Sequence, residues 1–237
     1  MLRSVRDLTG YSVRAADGDI GETVDFYFDD EKWTVRYLVV DPAPGEAGGS
    51  VLLSPLAIAI ADFDQKRIEL TLTRQQVRHS PGRETARPVS REWEARYHDY
   101  FRWPYYWSGG ALWGAWPTPA AAAGAPFVTP ETLAALEARD EPPPANRLRS
   151  AMEVIGYAAE ARDGSAGRIE DLLVDDASWR VMHFMIDTTS WWFGGEVLIP
   201  AEQAAAIDWP RKQITFDLTR EDIQNRPEFR PSGLTGH

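Results

Sequence analysis

Apolar and polar residues alternate with a period of two through much of the chain, as they do in half-buried β-strands. Residues 24–29 show one apolar row and one polar row: Val24, Phe26 and Phe28 against Asp25, Tyr27 and Asp29. Residues 34–40 form a second, mostly β-branched stretch, in which Arg36 alone interrupts the apolar run. Short strands of this kind, separated by turns rich in Asp and Gly, predict a small antiparallel barrel or sandwich.

The same pattern occurs twice, because many residues of the first copy return 146 positions later. The repeated residues are mostly glycine, aspartate and tryptophan: Gly10 and Gly156, Gly21 and Gly167, Asp25 and Asp171, Asp29 and Asp175, Trp33 and Trp179. So many matches at one spacing indicate an internal duplication. We therefore predict a first domain at 1–81, an insert at 82–149, a second domain at 150–229 and a tail at 230–237.

Two of the repeated glycines mark the same turn in each copy. Gly21 and Gly167 each follow an Asp-Gly turn at the entrance of a strand. A residue without a side chain allows positive φ or a close approach of another backbone segment. Both glycines are therefore predicted to have a structural role in the turn.

Three segments of the first copy carry a resemblance to a known family: Ser4–Tyr11 (SVRDLTGY), Asp17–Gly21 (DGDIG) and Val35–Asp41 (VRYLVVD). The second copy repeats the pattern in Val154–Tyr157, Asp163–Ile169 and Val197–Pro200. Together they resemble the PRC-barrel family. The resemblance implies a mainly β protein with two small PRC-type antiparallel β-barrels in tandem and a partly helical, aromatic-rich insert between them. That family includes the cytoplasmic domain of the photosynthetic reaction-centre H subunit and the C-terminal domain of a ribosome maturation factor.

The insert begins with a predicted amphipathic helix and continues into an aromatic run. Ser90 can cap a helix whose apolar stripe includes Trp93 and Tyr97, and Thr129 begins a second short helix. The aromatic run contains four candidate docking residues: Trp103, Tyr105, Tyr106 and Trp107. Three interpretations stay open, namely packing inside the protein, a docking surface for a partner and contact with a membrane surface.

Composition and charge restrict the partners and the cellular compartment. The chain has 25 Lys and Arg against 36 Asp and Glu, a net charge of −11, so it repels nucleic acid and anionic lipid headgroups. It has no cysteine, which excludes disulfides and thiolate chemistry. No apolar stretch is long enough for a membrane-spanning helix, and the first residues carry charges where a secretory signal would be apolar. We therefore expect a cytoplasmic protein without a membrane span.

Candidate chemistry is sparse in the sequence. Asp25 and Asp29 share one strand face, Asp171 and Asp175 repeat them, and carboxylates are ligands for Ca²⁺ or Mg²⁺. A solvated strand face in an acidic protein is the favoured alternative, so these four are weak metal candidates. The sequence has no nucleophile elbow, P-loop or dinucleotide fingerprint. No catalytic residue and no cofactor is predicted.

The sequence as a whole favours a non-catalytic binding or assembly module that binds a protein partner or a second copy of itself. A first alternative is an accessory protein resembling the reaction-centre H subunit, which supports electron or proton transfer in a membrane partner. A further alternative is an uncharacterised enzyme or a factor of the ribosome-maturation type. Fold resemblance alone does not choose among them, because one fold hosts many functions.

Overall fold

The computed structural model describes residues 1–42, 49–81, 89–125, 148–189 and 195–229. The chain divides into two compact units. We call Thr9–Leu148 with Ala177–Trp179 the first-copy unit. The rest of the chain, Met1–Leu8, Arg149–Asp176 and Arg180–His237, is the second-copy unit. The helix expected from Thr129 and the predicted tail at 230–237 lie outside the described residues.

Six strands of the first copy form the sheet of the first-copy unit: β2 (Ser12–Ala15), β3 (Gly18–Asp29), β4 (Thr34–Pro42), β5 (Val51–Leu53), β6 (Ile58–Asp62) and β7 (Arg67–Leu70). Their order is β5-β4-β3-β2-β7-β6, and β8 (Leu148–Ser150) pairs with β3 as the seventh strand.

The sheet of the second-copy unit repeats this order with β12-β11-β10-β9-β14-β13. Its strands are β9 (Ala158–Ala161), β10 (Gly164–Asp175), β11 (Val181–Asp187), β12 (Glu196–Pro200), β13 (Ala204–Asp208) and β14 (Gln213–Phe216). The seventh strand is β1 (Leu2–Ser4), which pairs with β10.

The described helices are short and stand at strand ends or in the insert. They are α1 (Val5–Leu8), α2 (Arg74–Arg78), α3 (Arg91–Phe101), α4 (Pro119–Ala123), α5 (Ala151–Val154) and α6 (Arg220–Gln224), with 3₁₀ turns at Pro55–Ala57 and Ala201–Gln203. In the parts of the chain that the structure covers, no helix has the length and apolar character to cross a membrane.

The protein is mainly β as predicted, but the prediction of closed antiparallel barrels is wrong in two respects. β2 pairs with β7 in parallel, and β9 pairs with β14 in parallel, so both sheets are mixed. Each strand order is also an open path within the described residues. Alternation along a strand reveals which side chains are buried, but it carries no information on the direction of the neighbouring strand.

β-bulges change which side chains of β3 and β4 face the core. Thr23 pairs with Val40 and Asp25 with Val39, so Val24 is an extra residue in β3. A second irregularity makes Arg36 an extra residue in β4. A bulge reverses the alternation beyond it. Val24 is therefore half-buried rather than in the core. Asp29 stays on the row of Asp25 and Tyr27, as the sequence predicts, but it is buried because Arg36 covers it.

The first three-residue strands of the two copies are exchanged between the sheets. β1 precedes the first copy in sequence but belongs to the sheet of the second-copy unit, where Leu2 pairs with Asp175. β8 precedes the second copy and belongs to the other sheet. The compact units therefore differ from the predicted domains 1–81 and 150–229. The predicted domains follow the boundaries of the sequence repeat, whereas each sheet takes one strand from the other copy.

Gly21 and Gly167 lie at equivalent positions, each beside a bulge and close to the backbone of the neighbouring strand. A Cβ on Gly21 would lie 1.7 Å from the carbonyl oxygen of Asp41, and one on Gly167 would lie 1.9 Å from that of Asp187. Real Cβ atoms do not approach a carbonyl so closely, and both glycines have positive φ, 156° and 120°. The structure therefore gives both a structural reason to be glycine.

Candidate binding surfaces

Helix α3 forms at the start of the insert because it is capped at both ends and one side of it is buried. The Ser90 hydroxyl accepts a hydrogen bond from the Trp93 amide at 3.1 Å, and Arg102 ends the helix in the left-handed conformation. The buried stripe consists of Trp93, Glu94, Tyr97 and His98. Its aromatic members were predicted from their spacing, whereas the buried carboxylate and imidazole were not.

The stripe of α3 packs on the outer face of the first-copy sheet. Edge-to-face contacts join the Tyr37 ring to Trp93 and Tyr97, with ring centroids 5.6 and 5.5 Å apart. The Tyr97 hydroxyl donates a hydrogen bond to the Leu52 carbonyl at 3.0 Å and accepts one from the Ser54 amide at 3.2 Å. Both faces of β4 are therefore buried, and all seven residues from 34 to 40 are inaccessible.

Glu94 is a fully buried carboxylate at the centre of this packing. Its Oε1 accepts hydrogen bonds from the hydroxyls of Tyr37 at 3.1 Å and Tyr106 at 2.7 Å, and its Oε2 accepts one from Arg91 at 3.0 Å. Burial raises the pKa of Glu94, and Arg91 and the two hydroxyls oppose that rise. The carboxylate thus ties three separate segments together, since its partners lie on β4, on α3 and in the aromatic run.

Arg36 is the matching buried cation on β4, with 1% of its surface exposed. Its Nε donates to Asp29 at 2.5 Å, and its Nη1 donates to the Leu112 carbonyl at 2.6 Å. The guanidinium also lies over the Tyr106 ring, 3.9 Å from its centroid. The sequence carried a signal for this site, because a lone arginine in an apolar run requires a buried anion or acceptor.

A loop of the insert supplies carbonyl groups to a second cation of the sheet. Lys32 donates hydrogen bonds to the carbonyls of Gly109 at 3.1 Å and Ala111 at 2.8 Å. Burial lowers the pKa of Lys32, and the nearby charge of Arg36 lowers it further. The positions of Lys32 and Arg36 explain why this loop, which has little regular structure, adopts a defined path over the sheet.

His98 is held in its neutral form inside the aromatic cluster. It is 1% exposed, and its Nδ1 lies 2.8 Å from the Pro104 carbonyl, which requires that this nitrogen carry the proton. Burial lowers the pKa of His98 to about 3. Its ring lies 5.3 Å from that of Trp107 and 5.9 Å from those of Tyr105 and Tyr106. This environment is that of a core residue.

The four candidate docking residues of the aromatic run have little free surface. Trp103, Tyr105 and Tyr106 are 8%, 4% and 4% exposed, and Trp107 is half-buried. The Tyr105 hydroxyl donates to Asp99, and the Trp107 ring packs against those of both tyrosines. Three of the four therefore act as the packing interpretation expects, since buried rings offer no surface to a partner.

The described insert also fixes a short piece of the second copy within the first-copy unit. The Trp113 indole nitrogen donates to the Ser178 carbonyl at 2.8 Å, and Trp113 itself is 1% exposed. The neighbouring Trp179 accepts a backbone hydrogen bond from Val35 at 2.8 Å, and its ring stacks on Phe26. The insert is thus part of the core of this unit through at least residue 113.

The two aspartates that the sequence placed on one face of β3 have separate structural roles. Asp29 binds Arg36 and also accepts hydrogen bonds from the amides of Glu31 and Lys32, at 3.2 and 2.6 Å, which closes the turn after β3. Asp25 accepts a hydrogen bond from the adjoining Phe26 amide at 2.7 Å. The two carboxylates share one face of β3 but have different surroundings, because Arg36 covers Asp29, which is buried, while Asp25 is half-buried.

Their counterparts on β10 hold the exchanged N-terminal strand. Asp171 is 2% exposed and accepts hydrogen bonds from the Ser4 hydroxyl and the Arg6 amide. Burial raises the pKa of Asp171, and the bond from Ser4 opposes the rise. Asp175 lies 3.6 Å from the N-terminal amine. Across the described ranges, no three His, Cys, Asp or Glu side chains group so that they could hold a metal ion.

The outer face of the second-copy sheet is less buried than its counterpart in the first-copy sheet. Strand pairing makes His183, Met185 and Leu198 the equivalents of Tyr37, Val39 and Leu52. The first-copy residues are 0%, 4% and 3% exposed, whereas His183 and Leu198 are half-buried and Met185 is 9% exposed. Nδ1 of His183 has no hydrogen-bond partner among the described residues. We call His183, Met185, Leu198 and Pro200 the open face.

No protein-family model matches the chain, and no curated protein is significantly similar to it. The function is therefore inferred from the contacts and the exposed surfaces of the two units.

Proposed function

We propose that the chain is a non-catalytic protein-binding module made of two PRC-barrel-like units. The first-copy unit is stabilised by the aromatic insert, and the second-copy unit provides the binding face. The identical strand order of the two sheets supports an origin by duplication. Four residues join β5 to β6 and three join β12 to β13, and these short connections between the ends of each strand order support sheets that curl in the manner of a barrel.

One observation carries the proposal, namely the difference between the two outer sheet faces. The chain covers the face at Tyr37 with an aromatic helix and leaves Leu198 and His183 half-buried at the equivalent face. Partly exposed apolar surface rimmed by charged residues marks binding sites in soluble proteins. Here the rim includes Glu196 at one end and Arg226 near the other.

Affinity capture with the full-length chain tests this proposal. The wild type should recover a protein that the Leu198→Asp variant does not recover, while Ile60→Asp, at an exposed apolar position of the other unit, should behave as wild type. Light scattering of the purified chain distinguishes a second copy from a different partner, because self-association through the open face doubles the mass. Equal recovery of every partner by wild type and Leu198→Asp would refute the open face as the binding site.

A further inference from the structure

We infer that the open face binds an amphipathic helix that carries an aromatic stripe and a carboxylate, and that α3 shows the mode of binding. The inference rests on the proposed function, because it names the partner class of the same face. The two sheets share their strand order and pairing, and among the described residues one outer face is covered by α3 while the equivalent face is only half-buried. We call the face under α3 the occupied version of this surface.

The occupied version shows which groups such a helix needs. Trp93 and Tyr97 of α3 contact the ring of Tyr37, and the Tyr97 hydroxyl reaches the Leu52 carbonyl at 3.0 Å. Glu94, which adjoins Trp93, accepts the hydrogen bond of the Tyr37 hydroxyl. An aromatic pair one turn apart and a carboxylate beside it therefore match this kind of sheet face.

The substitutions on the open face preserve this complementarity. Met185 and Leu198 replace Val39 and Leu52, and a thioether packs well against aromatic rings. His183 replaces Tyr37 as the polar residue of the face, and its Nδ1 is buried without a hydrogen-bond partner among the described residues. Burial lowers the pKa of His183, and the charge of Arg226 lowers it further, so a cation stands near His183 and can attract the carboxylate of the helix.

The opposite end of the open face has the reverse charge. Asp187 pairs with Glu196 across β11 and β12, and burial together with the negative charges of Glu170 and Asp187 raises the pKa of Glu196. Residues 183 and 187 are four positions apart on one strand, so the ends of the face are separated by roughly 13 Å. A helix with its carboxylate over His183 therefore gains from a basic residue about two turns away, which also fixes its direction.

A fluorescent peptide with the sequence of residues 89–107 is the probe, because those residues form the occupied version in this chain. The full-length protein should bind this peptide more tightly than a scrambled peptide of the same composition. Leu198→Asp should weaken binding about tenfold or more, as expected for a charge placed in an apolar contact, and Ile60→Asp should not weaken it. Circular dichroism establishes that each variant is folded.

A charge exchange provides a second variant that is independent of apolar packing. His183→Glu should weaken binding of the wild-type peptide, and a peptide with Glu94→Lys should regain affinity for that variant. Binding no tighter than that of the scrambled peptide, equal binding by Leu198→Asp, or no recovery in the charge exchange would overturn the inference. A partner still captured through Leu198 in that case would leave the proposed function standing and show that the partner is not such a helix.

Discussion

Replacing Arg36 by methionine should strongly destabilise the first-copy unit. Methionine has a similar length and can occupy the space between β4 and the insert, but it carries no charge and no donor. The substitution removes the bond from Nε to Asp29 at 2.5 Å and the bond from Nη1 to the Leu112 carbonyl at 2.6 Å. Asp29, which is 7% exposed, is then a buried carboxylate without its cation.

The expected loss follows from these contacts. Removing one partner of a buried ion pair costs about 3–5 kcal/mol, since the remaining charge stays desolvated. The stacking of the guanidinium over Tyr106 at 3.9 Å adds about 0.5–2 kcal/mol. Asp29 retains the amide bonds from Glu31 and Lys32, which lower the penalty. We expect a loss of about 4 kcal/mol in the free energy of unfolding.

Urea unfolding followed by tryptophan fluorescence measures this loss, because Trp93, Trp103 and Trp113 are buried in the unit that Arg36 stabilises. Arg14→Met is a matched control, since Arg14 is half exposed where it pairs with exposed Asp19, and its midpoint should not change measurably.

A double variant separates the ion pair from general packing. Arg36→Met combined with Asp29→Leu removes both charges, so its cost should be smaller than that of Arg36→Met alone plus that of Asp29→Leu alone. A loss below about 1 kcal/mol for Arg36→Met, or strictly additive costs in the double variant, would show that the charge pair does not stabilise the insert.

Three further outcomes are expected. Gly21→Val should lower stability by about 1–3 kcal/mol or more, because the new side chain meets the Asp41 carbonyl; an unchanged melting temperature would contradict this. The pKa of His98 is lowered to about 3, so its contribution to stability is complete above its ordinary pKa and is lost as the pH falls from about 6.5 towards 3; His98→Asn should flatten that part of a pH titration of the unfolding midpoint. Trp103→Ala should cost about 3–5 kcal/mol and Trp107→Ala clearly less, since only the first is buried, and calorimetry that gives equal losses would contradict the described packing.

The strands and the repeat could be predicted from the sequence because both depend on local spacing. Alternation located β3 and β4, and the common offset between Gly10 and Gly156 indicated two similar sheets. The direction of strand pairing and the open ends of the two sheets could not be predicted in this way. β2 and β7 pair in parallel, and this pairing does not change the alternation of apolar and polar residues in either strand.

The candidate site could be predicted only in part. The stripe of α3 was visible in the spacing of Trp93 and Tyr97, but the bulge that makes Arg36 an extra residue is a backbone event with no side-chain signature. A lone arginine in an apolar run is a signal for a buried anion, but Asp29 lies on the polar row of β3, and alternation along one strand does not show that Arg36 and the insert cover that row. The burial of Glu94 could not be predicted for a different reason, since a carboxylate on a helix usually faces water.

The exchange of β1 and β8 imposes an order of events on protein synthesis. Leu2 pairs with Asp175, so the second-copy sheet has to wait until most of the chain has left the ribosome, roughly 10–35 s at 5–20 residues per second. During that interval the first sheet lacks β8, whose sequence, Leu148-Arg149-Ser150, is identical to that of Leu2-Arg3-Ser4. Leu2–Ser4 has the same three side chains as β8, so it can pair with β3 until Leu148–Ser150 is available to replace it.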